Sequence, residues 1–310
     1  MHASSWLRLT GLSALAVLVA CSVSNNDNNQ YNNRSVGNPG GTQDAAPPPA
    51  NSTDADLQEE APTWDTSANT DPDASGTSSC NTDPDEDFDN DGYSVNQGDC
   101  NDCDPNANPG AFDIIGGVDG GVGVDEDCDG IVDNEVIDCD QGFDIDDKDA
   151  MNAAKSLGLC RTTTANAQGK DKTWGVISAK YVKADGSNGM DPLSHGIVPR
   201  FGAAGVQEGM SMVVLSSGTA RAPGQKGFES PEDAQMGTSS NPPPGYPKDS
   251  TSCDNVFTGD EDCNDPAALE LEIRVPTNAH SFSFNFNFYT YEYPSFICSR
   301  YNDFFVTLLG

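Results

Sequence analysis

Two short runs of the sequence place carboxylates at every second residue and then end in glycine. The first run is Asp87-Asp89-Asp91-Gly92, and the second is Asp125-Asp127-Asp129-Gly130. Like charges at this density repel each other, so a chain that holds them close together needs a cation between them. Loops that bind Ca²⁺ supply oxygen ligands from positions 1, 3 and 5 and place glycine at position 6 for a sharp turn. Both runs therefore predict calcium-binding loops.

The remaining ligands of each loop follow from the same positional scheme. An EF-hand loop has glutamate at position 12. The first loop has Gly98 at that position and the second has its glutamate, Glu135, at position 11, so neither loop is an EF-hand. Backbone carbonyls are predicted at position 7, and nearby carboxylates are predicted to close each shell. The predicted ligands are Asp87, Asp89, Asp91, Tyr93, Asp99, Asp102 and Asp104 in the first loop and Asp125, Asp127, Asp129, Ile131, Asp133 and Glu135 in the second.

The alternative interpretation of this segment is a solvated acidic linker, which is the usual state of a charge run. The glycine after each triplet and the cysteines between the aspartates favour metal sites instead. The runs GDCNDCDPNANPGA (98–111) and DEDCDGIVDNE (125–135) resemble the MopE-type metal-binding motif of bacterial surface and secreted proteins, which is related in style to thrombospondin type 3 calcium repeats. The sequence departs from that motif at residues 112–116, where the family carries cysteine and asparagine-glycine, and Cys103 is additional. A copper role attached to a founding member is not carried over, because carboxylates without histidine or methionine suit calcium better.

The acidic residues are concentrated around the two loops. The chain has a formal net charge of −34, and residues 81–149 contain 23 acidic residues and one basic residue, Lys148. This charge argues against nucleic acid as a partner, because binding to phosphates needs a basic surface. The charge belongs to the metal segment and not to the whole surface.

Residues 1–21 have the features of a lipoprotein signal peptide. Arg8 precedes a short apolar run, 9–20, which is too short to span a bilayer. The sequence Leu-Val-Ala-Cys at 18–21 resembles a bacterial lipobox, which implies that Cys21 becomes the lipidated (palmitate-carrying) first residue, and several acyl chains give stable anchoring. Because Ser22 follows, we expect an outer-membrane lipoprotein at the cell surface or the periplasmic face, with an ordinary secretory signal as the alternative.

Residues 22–79 predict a disordered tether. The segment is rich in Asn, Ser, Thr, Pro and Asp and has few apolar residues. Burial of apolar surface cannot offset the ordering entropy of such a chain. We expect it to hold the folded parts away from the membrane.

Nine cysteines follow Cys21, and this number favours an oxidising compartment. We predict two local disulfides, Cys139–Cys160 and Cys253–Cys263. Cys100 and Cys103 on their own give a weak zinc signal. Because nine is odd, we expect one partner to lie beyond Gly310.

Residues 138–310 predict one helix followed by strands. Ala150–Leu157 is a good helix-forming run, with Asp146 or Asp147 as its N-cap. In the segment Ser281–Tyr289, four phenylalanines share one face, which favours a β-sandwich core over a ligand-binding stripe. Period-two patterns or short apolar runs predict strands at Trp174–Val182, Met210–Leu215, Leu269–Val275, Ser281–Tyr289 and Phe304–Leu309.

The predicted fold class is mainly β. An acidic calcium-binding module with little regular structure (80–137) precedes an incomplete antiparallel β-sandwich (138–310). The segments WGVISAKYV, HGIVPRFG and EYPSFICSRYNDFFVTLLG resemble the choice-of-anchor L domain of bacterial surface proteins, which implies surface display. In that family the domain continues with further strands, so we expect this chain to be C-terminally truncated.

Catalytic patterns are weak. His195 and His280 follow the signal peptide, and neither has an assignable acid to orient its ring. The sequence lacks HExxH, phosphate-loop and dinucleotide motifs. A carboxylate pair of Glu292 and Asp303 for glycoside hydrolysis is a hypothesis with little support.

We therefore expect a non-enzymatic, calcium-binding surface lipoprotein that mediates adhesion or contact with matrix or envelope. Its expected partners are the membrane, through the lipid anchor, and a surface polysaccharide or protein. The alternative is a carbohydrate-binding module that uses exposed tyrosines, with a secreted hydrolase as the third interpretation. The tyrosines concerned are Tyr289, Tyr291, Tyr293 and Tyr301.

Overall fold

The alternating apolar and acidic residues of segment 269–273 form the centre of the largest sheet. In the computed structural model, strand β10 runs from Cys263–Arg274. Leu269, Leu271 and Ile273 are buried, whereas Glu270 and Glu272 between them are half-buried. This period of two is the pattern of a strand that covers a core with one face, so the predicted strand is confirmed.

The structure describes residues 2–8, 14–23, 64–65, 83–116, 123–133, 138–231, 235–248, 252–253, 262–291, 293–298 and 302–310. Beside β10, its strands are β1 (His2–Arg8), β2 (Ala14–Val23), β3 (Trp64–Asp65), β4 (Gly175–Val182), β5 (His195–Val198), β6 (Arg200–Phe201), β7 (Ala204–Gly205), β8 (Met212–Leu215), β9 (Ser239–Ser240), β11 (Ser281–Asn287) and β12 (Asn302–Leu309). Helix α1 spans Ala150–Lys155, and 3-10 turns lie at Val95–Gln97, Gly169–Asp171 and Pro192–Ser194.

All the strand pairs of the described sheets are antiparallel. The largest sheet has the order β12-β2-β10-β4, and β9 pairs with the start of β10. A second sheet has the order β1-β11-β3, and β5-β8 and β6-β7 form two-stranded ribbons. The fold is mainly β, as the sequence predicted.

The core lies where helix α1 packs beside β4, in a cluster that also takes apolar side chains from β10 and β11. Ala153 and Ala154 of α1, Leu269 and Leu271 of β10 and the half-buried ring of Phe282 share this cluster. A smaller cluster around Val182 and Ala268 lies on the other face of β10. Alanines let the short helix approach the sheet closely, which explains why its small residues are the buried ones.

Helix α1 begins at Ala150, as predicted, but its N-cap lies two residues after Asp147, the nearer of the two predicted caps. Asp149 is the N-cap, and its carboxylate accepts a hydrogen bond from the Met151 N–H (3.0 Å). Asp147, one of the two predicted caps, instead accepts from the Asn152 side chain (2.9 Å). Both roles satisfy donors near the helix start, where several acidic residues compete for them.

The phenylalanines of β11 enter the core unequally. Phe284 is buried and Phe282 is half-buried, whereas Phe288, beyond the end of the strand, is 37% exposed. The Phe286 ring stacks against Phe305 of β12 at a centroid distance of 4.8 Å. The predicted core role holds along the strand and ends at Phe288, where the chain leaves the sheet.

The structure describes two strands in the predicted signal peptide, β1 and most of β2. Strand β2 lies between β10 and β12, and Cys21 is paired in register with Phe304. The predicted cleavage before Cys21 would remove β1 from its pairing with β11 and residues 14–20 from the largest sheet. Lipidation of Cys21 stays a prediction, and most of the predicted tether, 24–63 and 66–79, lies outside the described residues.

Candidate metal centre

The first acidic run folds into a tight turn, which we call acidic loop 1 (Asp87–Tyr93). The Asp91 N–H donates to Asp87 Oδ1 (3.2 Å) and Asp89 Oδ1 (3.1 Å), and the Gly92 N–H donates to Asp87 Oδ2 (3.0 Å). The Tyr93 N–H donates to Asp91 Oδ1 (2.8 Å). Gly92 has a φ of +97°, a backbone conformation that residues other than glycine rarely adopt. The glycine after the triplet is therefore required by the turn.

The second run, acidic loop 2 (Asp125–Ile131), repeats this turn. The Asp129 N–H donates to Asp125 Oδ1 (3.1 Å) and Asp127 Oδ1 (3.3 Å), and the Gly130 N–H donates to Asp125 Oδ2 (3.0 Å). The Ile131 N–H donates to Asp129 Oδ1 (2.8 Å), and Gly130 has a φ of +91°. Equal spacing in sequence thus gives equal backbone geometry in the two loops.

The loops bring carboxylate oxygens together in three clusters, and within each cluster one oxygen per residue lies within 4.8 Å of the others. Two clusters belong to loop 1 and share Asp89. The third joins loop 2 to a carboxylate that the sequence pattern missed, Asp113. The clusters are Asp87/Asp89/Asp91, Asp89/Asp99/Asp102 and Asp113/Asp125/Asp127. Each could hold a metal ion.

The two clusters that share Asp89 leave buried carboxylate oxygens without a hydrogen-bond donor. Asp99 is 4% exposed, its Oδ1 accepts from the Asn101 N–H (2.7 Å), and its Oδ2 has no partner among the described residues. The same is true of the buried Oδ2 atoms of Asp89 and Asp91. An ionised carboxylate in this setting is expensive unless a cation or donor reaches it.

The pKa values of loop 1 reflect this setting. Burial raises the pKa of Asp91 to about 7 and that of Asp99 to about 6, and it also raises the pKa of Asp89. Neighbouring carboxylates add to each shift, because like charges disfavour ionisation. Backbone hydrogen bonds offset part of the effect. In the metal-free protein, loop 1 therefore holds protons that a cation would displace.

The guanidinium of Arg161 forms an ion pair with a carboxylate of loop 2. Arg161 Nη1 lies 2.6 Å from Asp127 Oδ2, and the Asp127 side chain is 1% exposed. The Arg161 guanidinium also lies over the Trp174 ring, 5.5 Å from its centroid. Burial raises the pKa of Asp127, and the Arg161 hydrogen bond and charge oppose this shift. This side chain compensates part of the charge in the third cluster.

A buried pair of carboxyl groups joins loop 2 to the segment before it. Asp113 and Glu126 are 5% and 6% exposed. Asp113 Oδ1 accepts from the Glu126 N–H (3.0 Å), and Glu126 Oε2 accepts from the Ile114 N–H (3.1 Å). Burial, together with the side-chain hydrogen bond to Asp113, raises the pKa of Glu126 to about 7. Asp113 lies outside the regular spacing of the triplets, so no sequence signal identified it.

The two acidic loops are fastened to each other and to the β-sheets. Cys100 and Cys128 form a disulfide that joins the segment after loop 1 to loop 2. The Tyr93 side chain is buried, its hydroxyl donates to the Lys172 carbonyl, and the Lys172 ammonium lies 4.7 Å from the centroid of its ring. The carboxylates are thus held on a fixed scaffold, which the buried ring of Tyr93 helps to form.

The turn at residues 108–112 makes further contacts with the β10–β11 connection. The Phe112 N–H donates to Asn278 Oδ1 (2.9 Å), and the Asn278 side-chain amide donates to the Phe112 carbonyl (2.8 Å). Asn108 is fully buried and accepts from the Thr277 hydroxyl (2.8 Å) and the Gly110 N–H (2.9 Å). These bonds set the position of the acidic segment relative to the sheets.

Three of the predicted and described carboxylate ligands, Asp104, Asp129 and Asp133, do not belong to the three clusters. Asp104 Oδ1 accepts from the Asn106 N–H (3.0 Å), although its charge contributes to the raised pKa of Asp89. Asp133 accepts from the Gly116 N–H (3.0 Å), and Asp129 accepts from Ile131. Glu135 lies outside the described residues. The backbone-carbonyl roles of Tyr93 and Ile131 stay predictions.

The cysteine predictions have mixed outcomes. The disulfide Cys139–Cys160 is confirmed. The predicted Cys253–Cys263 pair is wrong, because Cys253 is bonded to Cys298. Cys263 begins β10, where it is fully buried, and it is bonded in another disulfide, as is Cys103. Cys100 and Cys103 are both in disulfides, so they do not form the zinc-binding pair that their spacing weakly indicated.

The histidine of strand β5 is a core residue. His195 is 3% exposed and stacks on the Tyr181 ring at a centroid distance of 3.8 Å. Burial, followed by the charge of Arg221, lowers its pKa to about 4, so it is neutral at physiological pH. The Arg221 guanidinium donates to the His195 carbonyl (2.7 Å).

The disulfides indicate an extracellular or periplasmic protein. Among the residues described, no helix has the length and apolar character needed to cross a bilayer. Comparison of the chain with protein families, curated proteins and solved structures finds no match.

Proposed function

We propose that this chain is a calcium-binding, exported surface protein whose acidic segment is stabilised by the metal. The observation that carries the proposal is Asp99, a buried carboxylate with an unpartnered oxygen in a cluster with Asp89 and Asp102. Folded proteins rarely leave such an atom unpaired unless an ion or water completes the site. A divalent cation supplies the missing charge and the missing contacts together.

Calcium suits these clusters better than other metals. The converging atoms are carboxylate oxygens, which are hard ligands, and the cysteines near them are in disulfides. Calcium accepts six to eight oxygens in flexible geometry, whereas magnesium demands near-ideal octahedra. Loop 1 offers side chains at irregular intervals from Asp87 to Asp102, which fits the more adaptable ion.

The surface location rests on three features of the chain. Its disulfides require an oxidising compartment. Its first 21 residues resemble a lipoprotein leader that would place Cys21 as the lipid anchor in the outer membrane. A polar segment then separates this anchor from the folded part. We propose adhesion or envelope contact, and not catalysis, because His195, which follows Ser194 in the sequence, is buried and neutral.

Calcium titration of the full chain by calorimetry tests the metal proposal, with limited proteolysis before and after EGTA. We expect saturable binding in the range of extracellular modules, about 10⁻⁴–10⁻³ M. We also expect protection of the acidic segment from protease, which EGTA reverses. The absence of binding heat at about 5 mM calcium, which is about five times the largest dissociation constant expected, would refute the proposal. Tighter binding of copper than of calcium would refute it as well.

A further inference from the structure

A run of exposed aromatic and apolar side chains follows strand β11, and we call residues 288–297 the aromatic segment. Its most exposed members are Tyr293 (76%), Tyr289 (63%) and Ile297 (58%). The others are Tyr291, Phe296 and Phe288. Large apolar side chains that are exposed at closely spaced positions can mark an interaction site. The aromatic segment is therefore a candidate binding surface.

The aromatic segment is anchored at both ends. It begins where β11 ends at Asn287, and Cys298 behind it is joined to Cys253 by a disulfide. Near its start, the Tyr289 ring meets the Phe201 ring of the β6–β7 ribbon at a centroid distance of 6.4 Å. A surface that is held in place loses less entropy on binding than a free loop.

The charge of the segment narrows the class of partner. Between Arg274 and Arg300 the sequence contains no lysine or arginine and a single acidic residue, Glu292. Anionic membranes attract basic segments, and this segment is not basic. A charged partner of either sign would find almost no opposite charge in this segment with which to form ion pairs. An uncharged ligand needs none.

The chemistry of tyrosine selects among uncharged ligands. A tyrosine offers an apolar ring face and a hydroxyl that stays hydrogen-bonded at the rim. Sugar rings present the matching surface, with apolar C–H faces and hydroxyls around their edge. The exposed amide of Asn287 at the start of the segment adds hydrogen-bonding groups of the same kind.

We propose that the aromatic segment binds an uncharged polysaccharide, with Tyr289, Tyr291 and Tyr293 as the stacking positions. The inference names a ligand for the proposed surface protein, and it depends on that location but not on metal binding. No covalent step is involved.

Affinity electrophoresis of the full chain tests this inference, with hydroxyethyl cellulose, galactomannan and dextran as uncharged polymers and alginate as an acidic one. We expect at least one uncharged polymer to retard the protein and alginate not to do so. Replacing the three tyrosines with alanine should weaken the retardation at least about tenfold, since three stacking contacts are lost. Replacing them with phenylalanine should preserve part of it, because the rings remain.

Ile115→Ala is the matched control, since Ile115 is also 63% exposed but lies in the acidic segment. It should leave the retardation unchanged. Retardation by none of the uncharged polymers would overturn the inference, as would equal retardation of the triple alanine variant with an unchanged melting temperature. Two other results would also overturn the inference. Binding to phosphatidylcholine vesicles that only the triple alanine variant loses would assign the surface to lipid. Self-association that only this variant loses would assign the surface to a second copy of the chain. Calcium titration of the same samples shows separately whether the metal proposal fails.

Discussion

Acidic loop 1 and acidic loop 2 share a backbone but differ in what surrounds their carboxylates. In both, the first aspartate accepts from the N–H groups of positions 5 and 6, and glycine takes a positive φ. Loop 1 then gathers two more carboxylates, Asp99 and Asp102, around Asp89. Loop 2 gathers Asp113 but also Arg161, at 2.6 Å from Asp127.

The comparison separates a local property from a tertiary one. Spacing of aspartate and glycine dictates the turn, because each short side chain satisfies an N–H two to five residues ahead. The net charge of the cluster depends on which residues far along the chain pack against it. Asp99 keeps one carboxylate oxygen without a hydrogen-bond donor in the described part of the chain, whereas an arginine 34 residues away donates to Asp127 in loop 2.

This difference predicts that the two loops bind calcium unequally. A cation that enters the cluster around Asp89 can contact Oδ2 of Asp89 and Oδ2 of Asp99, which accept no hydrogen bond from any described residue. A cation that enters loop 2 competes with a guanidinium already hydrogen-bonded to Asp127 and placed over Trp174. We therefore expect loop 1 to be the tighter site and loop 2 to be stable with little or no metal.

The substitution Asp99→Asn should have the largest effect on metal binding. It removes a ligand of loop 1 without changing its shape, so calcium affinity should fall at least about tenfold, since even the loss of an outer-shell partner costs that much. Without calcium the same change should raise the melting temperature, because it removes a buried, uncompensated charge. Calorimetry and thermal unfolding with and without EGTA measure both effects.

Asp127→Asn in loop 2 is the matched control, because Asp127 is equally buried but paired. It should leave the tightest calcium site intact and should lower the stability of the metal-free protein, since Arg161 loses its partner. If Asp99→Asn and Asp127→Asn reduce calcium affinity equally, the inequality between the loops is wrong.

The substitution Arg161→Gln should make loop 2 resemble loop 1. It leaves Asp127 buried without its cation, and breaking a buried pair costs about 3–5 kcal/mol, which we reduce to about 1–3 kcal/mol because the Arg161 side chain is 31% exposed. Added calcium should recover part of this loss in the variant. Urea unfolding with and without calcium measures the free energy of unfolding in each case.

Lys180→Gln provides the comparison for an exposed ion pair. Lys180 and Glu270 are 3.4 Å apart, and the lysine side chain is 60% exposed. Exposed pairs contribute about 0–1 kcal/mol, so its effect should be small and independent of calcium. A calcium-independent loss in Arg161→Gln as well would mean that the third cluster cannot accept the ion.

The sequence predicted the elements whose information is local. The two turns, the alternating strand β10 and the helix after Asp149 follow from spacing and period. The predicted strand at Met210–Leu215 is confirmed in shortened form, as Met212–Leu215, because the Met210 and Ser211 N–H groups donate to the buried Asp140 instead of a neighbouring strand. Competition of this kind cannot be read from periodicity.

The features that distinguish the loops were not predictable in this way. Asp113 and Arg161 lie outside the acidic triplets, and neither occupies a position that calcium-loop spacing would mark. Arg274 likewise continues the alternation of β10 as an outward residue, yet it is buried and donates to Thr163 Oγ1 (2.9 Å) and the Thr164 carbonyl (2.9 Å). The disulfide of Cys253 was also misassigned, because proximity in sequence favoured Cys263 over the more distant Cys298. In each case the deciding contact spans a large separation along the chain.

Changes of pH should alter loop 1 through its raised pKa values. Between the ordinary value of 3.8 and about 7 for Asp91, the folded metal-free protein holds protons that the unfolded chain has released. Its stability therefore falls as pH rises through this window. Calcium displaces those protons, so it should bind more tightly at about pH 7.5, above the raised pKa values, than at about pH 5.5, below them.

The difference in stability with and without calcium is the quantity to measure. This difference cancels the contributions to stability of groups that lie away from the metal. One of them is His195, whose lowered pKa makes stability rise with pH below its ordinary value of 6.5. Asp99→Asn should reduce the pH dependence of calcium binding, because it removes one of the protonated groups. A calcium affinity that does not change with pH would contradict the raised pKa values.

The substitution Asp104→Asn should have the smallest effect of those on loop 1. Spacing alone places Asp104 among the ligands, but its Oδ1 accepts from the Asn106 N–H and from the Asn106 side chain, and it is not among the converging oxygens. Its charge reaches Asp89 at longer range, where solvent and salt screen it. We expect calcium affinity to fall by less than about threefold, a loss well below that of a ligand, and to fall less at high ionic strength. A loss as large as that of Asp99→Asn would instead make Asp104 a ligand, and would mean that the metal draws the segment after loop 1 inwards when it binds.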